Sequence, residues 1–178
     1  MHQKTTPLDT LARAALFAAL IFLGTYVLKI PIPSGYIHFG DGFLYAAAVL
    51  LPPAYAAGAG AIGGLLSDML AGYAAYAPWT AVIKAAMALP MAFLCRGSGF
   101  IRRFRGGTEK PGPREWIPVA ASLLISGVLN VGGYFLADSM LYGVSAAVVS
   151  LPLNAVQSAA GIAVFFVTLP VFGKIFRD

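Results

Sequence analysis

Long apolar segments alternate with short polar ones along this chain. Thr6-Pro7-Leu8-Asp9 has the features of a helix start, because threonine can cap, proline fits the first helical position and the acid suits the positive end of the helix dipole. A helix needs about 20 residues to cross a hydrocarbon core. The pattern therefore predicts six spans, at about residues 8–29, 42–52, 54–75, 78–95, 116–137 and 151–172.

The second of these spans is expected to be short. The segment from Gly42 to Tyr76 is apolar or small except for Ser67 and Asp68, and Pro52-Pro53 interrupts it. Its 35 residues are too few for two full crossings and a turn. The part before the prolines is the candidate for the short helix.

Composition supports a membrane protein. The chain has 178 residues, of which 59% are hydrophobic and 11% are charged, and its mean hydropathy is +0.80. These values are typical of an integral membrane protein. We expect one all-α transmembrane domain over residues 1–178, with a helical bundle and the lipid bilayer as its surroundings.

The distribution of basic residues predicts the orientation. Residues 96–114 form a polar loop with six basic residues and one acid. If the N-terminus is cytoplasmic, ten of the twelve Lys and Arg residues lie inside, and Lys29 and Lys84 lie toward the outside. This is the expected positive-inside bias, so both termini and the basic loop are predicted to be cytoplasmic. It also explains the net charge of +5 without a nucleic-acid partner. The expected location is the cell membrane, as a multi-pass protein of a bacterial plasma membrane.

Several polar side chains lie within the apolar segments. Asp41, Asp68 and Lys84 are charged, and a charge in a membrane segment needs either a partner or a function. At about 1.5 Å per helical residue, Asp68 and Lys84 reach the same depth below the outer face. Three amide side chains reach a similar depth: Asn130, Asn154 and Gln157. The sequence therefore predicts a small-ligand pocket in the outer half of the bundle.

Structural roles remain open for the same residues. Asp68 and Lys84 can form an ion pair that holds two helices together, or they can contact a ligand. Asn154 and Gln157 can bond neighbouring helices. Asp41 precedes an apolar helix and can act as its cap.

No metal, cofactor or nucleotide site is expected. Cys95 is the single cysteine, and His2 and His38 are far apart in the sequence, so no metal-ligand spacing occurs. The chain contains no G-x-x-x-x-G-K-[ST], H-E-x-x-H or G-x-S-x-G motif. These absences argue against ATP use, a metalloprotease and a hydrolase, and we expect no enzymatic activity.

Small residues predict close helix packing. Residues 58–63 match G-x-G-x-x-G, but they lie within a predicted span and follow no strand, so a dinucleotide site is excluded. Gly60 with Gly64, and Ala14 with Ala18, have the small-xxx-small spacing of packed membrane helices. Ala15 and Ala19 have the same spacing.

Three segments resemble a known family. They are YIHFGDGFLYAAAVLLPP, GAIGGLLSDMLAGYAAYAPWTAVIKAAM and GVSAAVVSLPLNAVQSAAGI. They are similar to the substrate-binding S components of energy-coupling factor (ECF) vitamin transporters, in a hydroxymethylpyrimidine-, pyridoxine- and riboflavin-like branch. The resemblance extends from Leu11 to Gly161.

The resemblance implies a six-helix subunit that captures a vitamin or vitamin precursor at the extracellular side. A separate module, with a transmembrane coupling protein and two ATPases, would drive import. Ala14 and Ala18 would contact the coupling protein, and residues 36–41 would form a gate that contains Tyr36, His38 and Asp41. The implied pocket residues are Asp68, Tyr73, Tyr76, Lys84, Asn130, Tyr134, Asn154 and Gln157.

Two other functions are compatible with buried charges. The chain could be a stand-alone secondary transporter that uses Asp68 and Lys84, or an integral membrane enzyme. Pyridoxine, a pyrimidine precursor of thiamine, pantothenate and riboflavin all remain possible ligands.

Overall fold

The computed structural model describes residues 6–32, 35–96, 100 and 111–175. Most of the basic loop, together with Lys4, Ser34 and Arg177, lies outside the described residues. Six helices and one hairpin occur within them. Their bounds are α1 Pro7–Tyr26, β1 Lys29–Ile32, β2 Gly35–His38, α2 Gly40–Leu50, α3 Pro53–Ala71, α4 Ala77–Leu94, α5 Pro113–Tyr142 and α6 Val144–Ile175.

The other helices pack around α2. α1 packs on α3, α3 on α4, α4 on α5 and α5 on α6, while α2 contacts α1, α4 and α6. α2 has 11 residues, and all of them except Phe43 are buried. The shortest helix therefore forms the centre of the core, and the alanines of this helix let its neighbours approach closely.

Within the described residues, four helices are long and apolar enough to cross a membrane: α1, α4, α5 and α6. Large apolar side chains lie exposed along them, for example Val82, Leu124 and Val167, which are 68%, 70% and 74% exposed. Exposed apolar side chains on long helices are expected where lipid replaces water. The described part of the chain is therefore an all-α bundle of the membrane type.

Capping at the N-terminus of α1 follows the sequence pattern. The Thr6 hydroxyl accepts a hydrogen bond from Asp9 N, and Asp9 Oδ2 accepts one from Thr6 N at 3.0 Å. This reciprocal arrangement satisfies backbone donors that have no partner within the helix. α1 therefore begins at Pro7, one residue before the predicted span.

Two later helices begin before the positions predicted for them from the sequence. α5 begins at Pro113 rather than near Trp116, with Pro118 inside it. α6 begins at Val144 rather than near Leu151, with Pro152 inside it. Proline removes one backbone hydrogen bond, but in an apolar environment every other backbone group still favours the helix.

A β-hairpin follows α1, between the first two predicted spans. β1 pairs with β2 in antiparallel register. The end of the hairpin is joined to α1, because Phe39 N donates to Gly24 O at 2.9 Å. The hairpin therefore has a fixed position over one end of the bundle.

Small residues set the spacing between helices. A Cβ atom at Gly64 would lie 2.8 Å from Thr80 Cγ2 and 3.1 Å from Lys84 Cγ. A Cβ atom at Gly63 would lie 2.8 Å from Ala18 O. α3 therefore packs closely against α4 and α1 through glycines. Asp68 on α3 and Lys84 on α4 consequently lie on neighbouring helices.

The predicted partner contact at Ala14 and Ala18 is not supported by this packing. Ala14 is 8% exposed and belongs to the core, and the backbone of Ala18 lies against α3. The exposed alanines of α1 are Ala12, Ala15 and Ala19, of which Ala15 and Ala19 have the small-xxx-small spacing. Ala14 packs within the core and Ala18 is partly buried, so a contact of this pair with a coupling protein stays a prediction that the packing does not favour.

Candidate functional site

A cavity of about 170 Å³ lies where the hairpin meets the ends of α3 to α6. Its lining residues are Thr25, Tyr36, His38, Asp68, Tyr73, Tyr76, Thr80, Lys84, Tyr134, Asp138, Ser150, Leu153, Asn154 and Gln157. Nine of the eleven binding residues proposed from the sequence are in this set. The other two, Asp41 and Asn130, lie behind Lys84.

The base of the cavity contains a buried ion pair between Lys84 and Asp41, whereas the alternative left open from the sequence paired Lys84 with Asp68. Lys84 Nζ lies 2.7 Å from Asp41 Oδ1, and the two side chains are 2% and 1% exposed. Lys84 and Asp68 form no salt bridge among the described residues. Asp41 forms the salt bridge because α2 lies at the centre of the bundle, which places the first turn of α2 directly beside α4.

Lys84 has a second polar partner on α5. Its Nζ donates to Asn130 Oδ1 at 3.0 Å. Asn130 Nδ2 in turn donates to Ser158 Oγ on α6 at 3.1 Å. The chain of bonds from Asp41 to Ser158 therefore connects four helices and holds the ammonium in place.

Gln157 attaches the hairpin to α6. Its Oε1 accepts from His38 N at 2.8 Å, and its Nε2 donates to His38 O at 3.0 Å. The same Nε2 donates to Asp41 Oδ2 at 3.1 Å. One amide side chain thus binds both the backbone of β2 and the buried ion pair.

His38 lies in the hairpin, outside the helices, and its ring faces the cavity. Burial lowers the pKa of this imidazole to about 4, with Asp41 opposing and Lys84 reinforcing the shift. The ring is therefore neutral at physiological pH. It can accept or donate one hydrogen bond, but it adds no positive charge to the site.

Asp68 has an incomplete set of partners. Tyr36 Oη donates to Asp68 Oδ1 at 3.4 Å, a long bond. Asp68 Oδ2 is buried and has no hydrogen-bond partner among the described residues. A buried acceptor without a donor is costly, and it commonly marks a place where a ligand or water binds.

Asp138 forms a second polar cluster at the edge of the cavity. Tyr76 Oη donates to Asp138 Oδ1 at 2.5 Å, and Ser150 Oγ donates to Asp138 Oδ2. Asn154 Nδ2 donates to Ser150 Oγ at 3.4 Å. This cluster joins α5 and α6 to the connection between α3 and α4.

Four tyrosines form an aromatic wall. The ring centroids of Tyr36 and Tyr73 are 5.7 Å apart, those of Tyr73 and Tyr76 are 6.4 Å apart, and those of Tyr76 and Tyr134 are 6.5 Å apart. These are ordinary separations for interacting aromatic rings. The Tyr134 hydroxyl also bonds to Thr80 at 3.0 Å. The wall offers flat surfaces to a flat ligand.

Five lining residues were not proposed from the sequence: Thr25, Thr80, Asp138, Ser150 and Leu153. Asp138 lay at the predicted end of a span, where a charge needs no special explanation. Ser150 lay just before the predicted start of the last span at residue 151. The spacing of Ser150 and Asn154 on one helix face was the signal that could have identified it.

The described residues contain no group of three His, Cys, Asp or Glu side chains that could hold a metal ion. What the cavity offers is two carboxylates, several amide and hydroxyl groups and an aromatic wall. Such an arrangement is suited to binding a small, flat, polar molecule.

Comparisons with known proteins identify the family. The model of the family described as "ECF-type riboflavin transporter, S component" matches residues 6–172. An uncharacterised protein of Pyrococcus woesei is 31% identical over 140 residues, which cover 78% of this chain and 84% of that protein. The match confirms the resemblance to ECF S components and leaves the hydroxymethylpyrimidine and pyridoxine assignment as a prediction. The chain therefore belongs to the ECF-type riboflavin transporter S-component family, and it is a multi-pass membrane protein that serves as a substrate-binding subunit.

Proposed function

We propose that this protein captures a small vitamin or vitamin precursor at the outer face of the cell membrane and delivers it for import by a separate ATP-driven module. The observation that carries this proposal is the polar cavity beneath the hairpin. The cavity lies at one end of an apolar bundle, and its lining is mostly polar and aromatic. The protein binds and releases its ligand without chemistry.

The proposed topology has six membrane-embedded helices and cytoplasmic termini. At about 1.5 Å per residue, the 11 residues of α2 reach only part of the way across a hydrocarbon core of about 30 Å. α2 is enclosed by other helices, so its ends need no contact with lipid. The basic residues Arg96, Arg114 and Lys174 lie at the opposite ends of their helices from the cavity, which supports an outward-facing site.

The size of the cavity favours a ligand with one ring. An engineered cavity of about 150 Å³ in another protein binds benzene. A cavity of about 170 Å³ therefore suits one substituted six-membered ring. Riboflavin, which the family description names, has three fused rings and a sugar-alcohol chain, so it would require the hairpin to move away. Pyridoxine or a pyrimidine precursor of thiamine fits the closed cavity better.

The energy for import is proposed to come from partner subunits. The chain has no P-loop motif with which to bind ATP. An ECF coupling protein and two ATPases are the partners that the family implies. Ala15 and Ala19 are exposed on α1, so they replace Ala14 and Ala18 as the small residues that could meet a partner helix.

An uptake assay tests this proposal against a stand-alone transporter. Proteoliposomes that contain this protein, a coupling protein and ATPases are expected to import the ligand only when ATP is supplied on the ATPase side. Proteoliposomes with this protein alone are expected to bind the ligand without accumulating it. Accumulation by this protein alone, driven by a proton gradient, would contradict the proposal.

Asn154→Ala is expected to lower ligand affinity about tenfold, the effect of losing about 1.4 kcal/mol of hydrogen bonding. The side chain lines the cavity, and its one hydrogen bond to a described residue, Ser150, is 3.4 Å long. The variant should therefore keep the stability of the parent protein. Calorimetric titration in nanodiscs measures the affinity.

Ser145→Ala is the matched control, because Ser145 is exposed in the first turn of the same helix. It should bind the ligand as the parent protein does. Equal affinities of the Asn154→Ala and Ser145→Ala variants would remove Asn154 from the binding site. Gln157→Ala is a poorer test, because that side chain also holds the hairpin and Asp41.

A further inference from the structure

The charges of the cavity do not cancel. Lys84 is the one cation among the lining residues, and Asp41 already neutralises it at 2.7 Å. His38 is neutral. Two other carboxylates, Asp68 and Asp138, line the same cavity, and each is 6% exposed. The partners described for them are hydroxyl groups, which donate hydrogen bonds but carry no positive charge.

Asp68 is the carboxylate that most clearly lacks a partner. Its Oδ2 is buried, and no donor among the described residues reaches it. Lys84 acts on Asp68 electrostatically, but its salt bridge is with Asp41. A buried carboxylate without a paired cation is costly in a membrane protein, and such groups are usually paired or functional. A positively charged ligand in the cavity would supply the missing partner.

The aromatic wall also favours a positively charged ligand. Tyr36 bonds to Asp68 at one end of the wall, and neighbouring rings continue it through Tyr73 and Tyr76 to Tyr134. The faces of aromatic rings attract cations, by about 2 kcal/mol or more when water is excluded. Two rings of the wall already have such contacts within the protein: Lys84 Nζ lies 5.4 Å from the ring centroid of Tyr134, and Lys29 Nζ lies 5.0 Å from that of Tyr36.

We infer that the natural ligand is a flat, single-ring molecule that carries a positive charge, and that the charge lies between Asp68 and the tyrosine wall. This inference rests on the proposed function, because it describes the ligand of the same cavity. It narrows the candidates to cationic nitrogen heterocycles and excludes uncharged rings as the preferred class. Lys84 and Asp41 then set the depth of the site, and Asp68 and Asp138 select the charge.

Two probes of the same shape separate charge from size. 1-Methylnicotinamide is a permanent cation with one six-membered ring, and 3-methylbenzamide is its uncharged isostere. The full-length protein in lipid nanodiscs should bind the cation at least about tenfold more tightly, a difference of about 1.4 kcal/mol. Equal affinities, or a preference for 3-methylbenzamide, would overturn the inference.

Asp68→Asn is the variant that locates the effect. It should remove the preference for the cation and leave the affinity for 3-methylbenzamide within about threefold of the parent protein. Asp9→Asn, an identical change at an exposed position in α1, should keep the full preference. An Asp68→Asn variant that still prefers the cation would overturn the assignment to Asp68. If that variant does not fold, Tyr134→Leu gives a second readout, because loss of the ring face should weaken cation binding more than neutral binding.

The outcomes distinguish this inference from the proposed function. A cavity that binds both probes equally, in a protein that still supports ATP-driven uptake, contradicts the charge and keeps the function. A protein that binds neither probe contradicts the inference as well. The function itself then fails only if the ATP-driven uptake described above is also absent.

Discussion

Lys84→Met is expected to destabilise the ligand-free protein by about 3–5 kcal/mol, the usual cost of removing one partner of a buried ion pair. The change leaves Asp41 at the centre of the bundle without its cation, while Gln157 supplies only an uncharged donor. It also leaves Asn130 Oδ1 without the ammonium donor. Denaturant titration in mixed micelles measures the free energy of unfolding.

Lys174→Met is the matched control, because Lys174 is exposed at the end of α6. It should change the free energy of unfolding by less than about 0.5 kcal/mol. The double variant Asp41→Asn with Lys84→Met should be more stable than Lys84→Met alone, since no unpaired charge remains. If Lys84→Met unfolds at the same denaturant concentration as the parent protein, the buried ion pair is not what holds α2 against α4.

Gly161→Ala is expected to lower the free energy of unfolding by about 1–3 kcal/mol, the usual range for overpacking a core. A Cβ atom at this position would lie 2.6 Å from Asp41 Cβ. α2 would have to move away from α6, and Asp41 would shift relative to Lys84 and Gln157. Ligand affinity should therefore fall together with stability, although the substitution lies outside the cavity lining.

Gly58→Ala controls for the change in helix propensity. No atom lies within 4 Å of a Cβ atom placed at Gly58. Alanine favours a helix over glycine by about 1 kcal/mol, so this variant should be as stable as the parent protein or more so. A Gly161→Ala variant that matches Gly58→Ala in stability and affinity would show that the close approach of α2 and α6 is not required.

The depth of the polar residues could be predicted from the sequence, because it follows from the rise per residue of a helix. Asp68, Lys84, Asn154 and Gln157 do meet at one end of the bundle. Their pairing could not be predicted in the same way. Asp41 and Asp68 could each pair with Lys84, and which of them forms the salt bridge depends on which helix lies at the centre of the bundle. The central position of α2 is a tertiary property.

The rotation of each helix about its own axis also could not be predicted from the sequence. Ala14 with Ala18 and Ala15 with Ala19 have identical spacing, so the pattern alone cannot say which pair points outward. The packing of α3 on α1 decides it, through the close approach of Gly63 to Ala18.

The hairpin was missed for a local reason. Its strands have four residues each, and Pro31 interrupts the first of them. Such a segment shows neither a helical nor an alternating pattern. The hydrogen bonds that hold it come largely from elsewhere, from Gly24 on α1 and from Gln157, which is 119 positions away from His38. Long-range contacts of this kind cannot be predicted from the pattern of apolar and polar residues within the segment itself.

The central claim is that the cavity beneath the hairpin is the ligand site. An experimental structure of the protein purified together with the small molecule that it retains tests this claim most directly. We expect density for one ring in the cavity, in contact with Asp68, Tyr134 and Asn154, with the hairpin closed over it. A cavity that contains only water, with the retained molecule bound elsewhere on the protein, would contradict the account.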